Sequence, residues 1–450
     1  MSERRKQVIL AAYFPGVNNT TVWTDPRSKS QIEFDSFVHL AQTAERGKLD
    51  FFFLAEGLRL REQRGVIHDL DTVGRPDTMT VLTALAAVTT HLGLAGTLNA
   101  TFREPYELAR QLASLDHLSG GRAAWNVVTS SDAFTGENFR RGGFLRYEER
   151  YERAEEMVRT LRALWDSWDL DEPVADQASG AFLRAARPGA FRHQGPQFDI
   201  TGHFNVPRSP QGHPVILQAG DSDGGRELAA SVADCIFSRH SQLSDAQRFY
   251  EDAKGRLARY GRHRNELKIL PAVSFVLGGS TADATEKAHV VRRQQVSPQT
   301  AILLLEQLWN RDLSGYDPEG PLPVVDPDVS PEASIIQGRT RMHADPLKTA
   351  AKWREVAEAK KLGIRDLVIE MTGRQTFIGT AAFVAEAMND FVQRDGCDGF
   401  VLAPHLTPTG LDDFVDDVVP LLQERGVLRH EYETTTLRGH LGLGVPVSAS

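Results

Sequence analysis

The chain has 450 residues, 41% of them apolar and 25% charged, with 51 Lys plus Arg against 60 Asp plus Glu for a formal charge of −9. That length excludes a small stapled scaffold and allows two or three domains, or one large barrel with insertions, at roughly 100–200 residues per domain, while the ordinary balance of apolar and charged residues excludes broad disorder. The acidic balance, with no basic run interleaved with aromatics, argues against nucleic acid as a partner.

Short apolar runs followed by helical periodicity recur along the whole chain. VILAAYF (8–14) leads to a helix over 36–48, DFFFLAEG (50–57) to 78–89, LGLAGTLN (92–99) to 105–119, and RAAWNVVTS (122–130) to a long helix around 148–168. HPVILQAG (213–220), DCIFSR (234–239), LKILPAVSFVLG (267–278) and DGFVLAP (398–404) each precede a further helical pattern, the last being LDDFVDDVVPLLQERG. Alternating strand and helix implies a parallel sheet, because parallel strands need crossover connections. The runs are nearly unbroken apolar, as in strands covered on both faces. Eight such units predict a single α/β domain, a (β/α)8 TIM barrel, over 1–450. A barrel of this kind takes about 250 residues, so the remainder is assigned to insertions at about 15–35, 58–77, 131–147, 169–212 and 296–376. The last, dense in Pro and Asp (DPEGPLPVVDPDVSP, 317–331), reads as a loop on the active-site side, either a lid or a surface excursion.

Chemistry in such barrels sits at the C-terminal strand ends. Those ends carry Glu56, Thr97, Asn99, Asn126, Thr129, Ser130, Gln218 and His405. Each taken singly also fits a strand-end group capping backbone donors. Gly220-Asp221-Ser222-Asp223-Gly224-Gly225 lies between a strand and a helix and offers backbone N–H groups and a hydroxyl suited to a phosphate. The same letters match the G-x-S-x-G nucleophile elbow, which keeps open a serine hydrolase with Ser222 as nucleophile, although no HGGG-like oxyanion segment precedes it. A Gly-rich turn with a Ser cap is the plain alternative. Tyr147 and Tyr151, at i and i+4 with Arg146 and Arg150 close by, can aim two phenols at one anion or staple the helix to the barrel. No H-E-x-x-H, paired C-x-x-C, Walker A segment or post-strand G-x-G-x-x-G occurs, so no metal is expected and a hydride donor has no fingerprinted site.

Cys235 and Cys397 are the only cysteines, which argues against a disulfide framework and fits a reducing compartment. The N-terminal apolar run is broken at Pro15 and Gly16 and reads as a first strand, and no stretch approaches the roughly 18 apolar residues of a membrane span. The expectation is a cytoplasmic protein with no membrane partner.

The segments SGGRAAWNVVTS (119–130), RYERAEEMVRTLRALWDSW (150–168), VPRSPQGHPVILQAG (206–220) and TLRGHLGL (436–443), in this order, resemble the bacterial luciferase-like flavin monooxygenases, in the branch of nitrilotriacetate, EDTA and dibenzothiophene sulfone monooxygenases. The resemblance implies a TIM barrel with insertions. It implies FMN bound as FMNH2, supplied by a separate NAD(P)H:FMN reductase, which meets O2 to form a flavin C4a-hydroperoxide and oxygenates a small organic substrate of C–S or C–N type. Position by position, the family's flavin contacts fall on Glu56, Thr97, Asn126, Ser130, Tyr147, Tyr151 and Ser222, with Gly220 and Asp221 beside them. Three departures stand out: Glu56 where the family usually has Asp, Tyr147 where it often has His, and Asp221 where Ser is common. Loops 15–35, 58–77 and 296–345 are expected to line the substrate mouth, with Asn18, Trp23, Arg59, Phe134 and His343 as candidates. The family also implies a homodimer or homotetramer. A deazaflavin (F420) oxidoreductase of the same superfamily and a non-catalytic flavin carrier are the alternatives alongside the serine hydrolase.

Overall fold

A computed structural model describes residues 5–130, 133–140, 149–170, 172–330, 334–338, 345–373 and 375–446. Eight strands, β1 (Ile9–Tyr13), β2 (Phe51–Leu54), β3 (Gly93–Asn99), β4 (Ala123–Val128), β5 (Val215–Gln218), β6 (Cys235–Ser238), β7 (Lys268–Leu277) and β8 (Gly399–Leu402), pair in parallel around a closed ring. Closure is made where β8 pairs with β1, Ile9 opposite Gly399 and Ala12 opposite Leu402. These are the eight strands read from the sequence. A ninth strand, Gln375–Gly379, was not anticipated: it pairs with the C-terminal part of β7 on the outside of the ring, past a register shift between Ser274 and Phe275.

The alternation of side chains divides the apolar residues into two cores. Ile9, Ala11, Phe51, Phe53, Ala95, Ala124, Val215, Leu217, Cys235, Leu270 and Val401 point inward and fill the barrel. Leu10, Ala12, Phe52, Leu54, Leu94, Leu98, Trp125, Val127, Ile216 and Ile236 point outward beneath the helices. The helices that cover them include α1 (Phe34–Arg46), α2 (Thr78–Ala86), α3 (Pro105–Ser119), α4 (Glu149–Trp165), α5 (Asp223–Val232), α6 (Leu243–Arg256) and α7 (Thr281–Gln295). Local signals set their ends. Pro105 occupies the first turn of α3 and Gly120, at φ 69°, closes it in the left-handed region. Ser222 caps α5 by accepting from Gly225 N, and Ser280 caps α7 by accepting from Asp283 N.

The 296–376 segment departs from the loop reading. It folds into three helices, α8 (Pro298–Trp309), α9 (Pro346–Lys360) and α10 (Ile364–Thr372), with a core of its own that includes Leu305, Trp309, Trp353 and Leu367. Ile336–Gln337 from this segment pairs antiparallel with Glu62–Gln63 from the 58–77 segment. The helix that enters β8 is α11 (Ala381–Gln393), whose Val384, Ala385 and Met388 join the outer core. The 169–212 segment carries an exposed hairpin, Ala190–Gln194 with Asp199–His203. Among the described residues no helix is long and apolar enough to cross a membrane.

The N-terminal end of the barrel is closed from below by the chain that follows β8. Leu437, Leu441 and Leu443 join the inner core, and Arg438 donates from Nη2 to Asp234 Oδ2 at 2.8 Å and from Nε to His213 O at 2.9 Å. Both ions are buried. Burial opposes the charge on Asp234, but Arg438 and Arg162 outweigh it and hold its carboxyl below the ordinary carboxylate range. Removing one member of such a pair strands a buried charge at a cost of about 3–5 kcal/mol, whereas replacing both is far milder. Arg438→Ala is therefore expected to lower stability by that amount in urea unfolding, and the double variant Asp234→Asn/Arg438→Met to recover most of it. Because the folded pKa of Asp234 is depressed, its contribution is present above the unfolded carboxylate pKa and is lost as pH falls through the folded value. The single variant should accordingly show a shallower acid-side loss than the parent.

Candidate functional site

The C-terminal mouth gathers most of the strand-end residues. Thr97 and Asn126 sit directly opposite each other on β3 and β4, both facing inward and both buried. Asn126 Nδ2 donates to Thr97 Oγ1 at 2.8 Å. Asn126 Oδ1 is buried and has no partner among the described residues. A buried carbonyl oxygen without a donor costs free energy, so this pair presents an acceptor to whatever N–H enters the mouth. Tyr13, Phe53 and Phe237 form an aromatic floor beside it, with Tyr13 and Phe53 centroids 5.7 Å apart and Phe53 and Phe237 4.8 Å apart.

Glu56 lies two residues past β2 and turns toward the start of α3. Its Oε2 accepts from Asn99 N at 3.0 Å and its Oε1 from Arg103 Nη2 at 2.8 Å. Burial pushes the Glu56 carboxyl above its usual value, against the pull of Arg103. Both oxygens are thus engaged, and the carboxylate fixes the β3 end. Ser130 N donates to Thr101 Oγ1 at 2.9 Å, which orients the turn after β4. Thr101 and Arg103 were not singled out in the sequence, where nothing distinguishes TFRE from any loop.

At the opposite rim, Tyr151 Oη and Ser222 Oγ are 3.1 Å apart, and Arg150 Nη2 donates to Tyr151 Oη at 3.2 Å. Three residue types suited to an oxyanion therefore meet at the N-terminus of α5, whose backbone N–H groups and dipole favour negative charge. Two glycines shape the approach: a Cβ on Gly220 would lie 2.8 Å from Gly225 Cα, and one on Gly224 would lie 3.4 Å from the Tyr151 ring. Asp221 points away, its Oδ1 meeting His240 Nε2 at 3.2 Å, so its side chain is drawn off the rim. No histidine hydrogen-bonds to Ser222 among the described residues. The hydroxyl caps a helix and meets a phenol, an arrangement that gives a serine nucleophile no base. Gln218 faces the helices and not the mouth, because Ile216 is in the outer core and Leu217 in the inner one. Tyr147 and His343 lie outside the described residues.

Of the mouth candidates, Arg59 and Phe134 come together, the guanidinium carbon 3.4 Å from the ring centroid, and a Cβ on Gly338 would lie 3.3 Å from the same ring. Three insertions therefore converge there. Asn18 ties its own loop to the 58–77 insertion, donating to Pro15 O and Thr72 Oγ1 and accepting from Thr20. Trp23 is exposed at 56%. His405, three residues past β8, has its ring pushed toward the neutral form by burial, and its Nδ1 has no partner among the described residues. No group of three or more His, Cys, Asp or Glu suited to a metal ion occurs among the described residues.

A family model described as luciferase-like monooxygenase matches residues 17–399. The chain is 39% identical to N-acetyl-S-(2-succino)cysteine monooxygenase of Bacillus subtilis (strain 168), over 100% of this chain and 99% of that one. It is 38% identical to nitrilotriacetate monooxygenase component A of Aminobacter aminovorans, over 94% and 92%. The solved EDTA monooxygenase of Chelativorans sp. BNC1 superposes with a TM-score of 0.75 at 28% identity, covering 97% of this chain and 99% of that chain.

The Glu56 and Arg103 pair generates a pH-dependent expectation. With its folded pKa raised, Glu56 contributes stability below the unfolded carboxylate pKa and loses it as pH rises through the folded value. Arg103→Met removes the opposing cation and should raise that folded pKa further. Urea unfolding of the variant should therefore show a larger deficit at pH 8 than at pH 4.5; equal deficits at both would mean that Arg103 acts by packing alone.

Proposed function

The chain belongs to the luciferase-like monooxygenase family, and on that premise we propose that it is the oxygenase half of a two-component system, receiving FMNH2 from a separate NAD(P)H:FMN reductase and using O2 to oxygenate a small organic substrate at a C–S or C–N centre. The observation that carries the cofactor assignment is a pair of complementary ends: an acceptor without a donor at Asn126 on the inner wall, and an oxyanion cradle at Tyr151, Ser222 and the start of α5 on the rim.

The residues fit FMN. Asn126 Oδ1 is suited to a ring N–H and Thr97 holds that amide in place, while Tyr151, Ser222, Arg150 and the α5 N-terminus suit a phosphate. Bound there, reduced FMN would supply the electrons that activate O2. The chain's own work is to position and exclude. The buried Thr97 and Asn126 side chains fix one edge, the Tyr13, Phe53 and Phe237 rings keep the floor dry, and the converging insertions at Arg59, Phe134 and Gly338 cover the mouth. Glu56, locked to Asn99 N and Arg103, keeps the β3 end in register and brings no free acid to the reaction.

The name "component A" of the Aminobacter aminovorans relative, and the A and B subunits of pristinamycin IIA synthase at 35% and 40% identity, support a multi-component arrangement. The same relatives favour oxygenation over the F420 and carrier readings, and Ser222, which has no basic partner among the described residues, disfavours the hydrolase.

Two measurements test this. Protein mixed anaerobically with photoreduced FMN and then with oxygenated buffer should delay the return of oxidised-flavin absorbance relative to free FMNH2; no delay and no FMNH2 binding would overturn the proposal. Ser222→Ala and Tyr151→Phe should each weaken FMN binding by about tenfold, about 1.4 kcal/mol, while leaving riboflavin affinity unchanged. A parallel fall in riboflavin affinity would move these residues off the phosphate.

A further inference from the structure

Arg122, at the base of the barrel, donates from Nε to Ser119 O, from Nη1 to Thr89 Oγ1 and Leu92 O, and from Nη2 to Ala86 O and Thr89 O. Arg75, at the mouth, has a different ledger. Its Nη1 donates to Ala55 O at 2.6 Å, and its Nη2 donates to Pro15 O at 2.7 Å and reaches Thr72 Oγ1 at 3.2 Å and Phe14 O at 3.4 Å. Nε has no partner among the described residues.

All of its acceptors are neutral. The carboxylates of the neighbouring segments are engaged elsewhere: Asp71 with Arg61 at 2.7 Å, Asp77 capping α2 through Thr80 N, and Glu56 with Arg103. Among the described residues Arg75 has no ion pair. Burial works against its charge, and the group beside it that favours the charge is the Tyr13 phenol. Tyr13 is the last residue of β1, faces the barrel interior and sets its phenol beside the Arg75 guanidinium. The chain thus anchors a permanent cation to the carbonyls at the ends of β1 and β2, one residue from Glu56, and gives it no counter-charge. A largely buried guanidinium without an anion is costly. Gly16, at φ 73°, makes room for it, since a Cβ there would lie 3.0 Å from Nη2.

We propose that Arg75, with the Tyr13 hydroxyl beside it, binds a carboxylate of the substrate, so that this enzyme acts on anionic small molecules. The inference rests on the oxygenase reading above and adds the substrate's charge to it. The residues proposed for the cofactor occupy β3, β4 and the start of α5, whereas Arg75 hangs from β1 and β2. A carboxylate held there sits on the side of the mouth where β1 and β2 meet.

The probe is (benzylthio)acetate, with its methyl ester as the neutral control. Both are titrated calorimetrically into FMN-loaded protein, and both are assayed for oxygenation with FMNH2 and O2. The parent should bind the acid at least about tenfold more tightly than the ester, the discrimination expected when a charged partner is withdrawn from a buried cation. Arg75→Met should bring that ratio close to one and leave ester affinity within about threefold, and Arg75→Lys should keep part of it. Tyr13→Phe, which leaves the aromatic floor intact, should weaken the acid several-fold and spare the ester. The inference is overturned if the parent binds acid and ester alike or binds neither, or if Arg75→Met weakens both equally, which would make Arg75 a structural pin. A fall in FMN affinity with the acid-to-ester ratio preserved would also overturn it, giving the cation to the flavin. Absent turnover of both probes with the binding ratio intact would count against the oxygenase reading and not against Arg75. Equal turnover of both, unchanged in Arg75→Met, would do the reverse.

Discussion

The barrel depends on a collar of carboxylates at its N-terminal rim. Asp50, Asp234 and Asp398 each stand immediately before a strand, and each accepts through its side chain the N–H of the second residue of the preceding strand: Leu10, Ile216 and Ile269, at 2.9, 2.8 and 2.7 Å. The backbone N–H of the same three aspartates donates back to the carbonyls of those residues. Each carboxylate then meets a cation, Arg429, Arg438 and Lys254 respectively. Strands this short, four residues in β2, β5, β6 and β8, have few ladder bonds with which to define their stagger. A side chain that grips the neighbouring strand at its start fixes the register, and in a closed barrel register, tilt and stagger are one quantity.

What the collar fixes at the base is used at the mouth. Thr97 lies opposite Asn126 because Leu94 lies opposite Ala123 three residues earlier. A slip of one residue on either strand would turn the amide into the helical layer. The mouth is consequently divided by strand number: hydrogen-bonding side chains on β3 and β4, an oxyanion cradle after β5, aromatic rings on β1, β2 and β6, and an unneutralised guanidinium over β1 and β2. Function is distributed here by topology, with no motif longer than the turn at 220–225.

The barrel strands were legible because a strand buried on both faces must be apolar almost throughout, and eight such runs recur. The ninth strand, QTFIG, was not: it pairs with a single neighbour on the outside of the ring, and its five residues carry too little apolar character to stand out inside a long insertion. The helices of 296–376 were masked by the Pro and Asp density of the connection between them, although LLLEQLW carries the stripe that α8 buries. Within the site, Ser222 and Tyr151 were legible from a Gly-rich turn and a helical spacing, and they do meet. Gln218 was misplaced because strand-end position alone does not say which face a side chain takes. Arg75 gave no signal, since a guanidinium in a loop becomes notable only when its neighbours are counted.

Residues 437–443 fill the base of the barrel, and their ion pair joins positions separated by 204 residues. Every strand precedes this plug in the chain. While the chain is being made from its N-terminus, all eight strands therefore emerge before the leucines that complete their inner core, and the carboxylate of Asp234 emerges long before its cation. Until those leucines arrive the inner core at the floor is incomplete, and in that interval its apolar side chains are open to other chains.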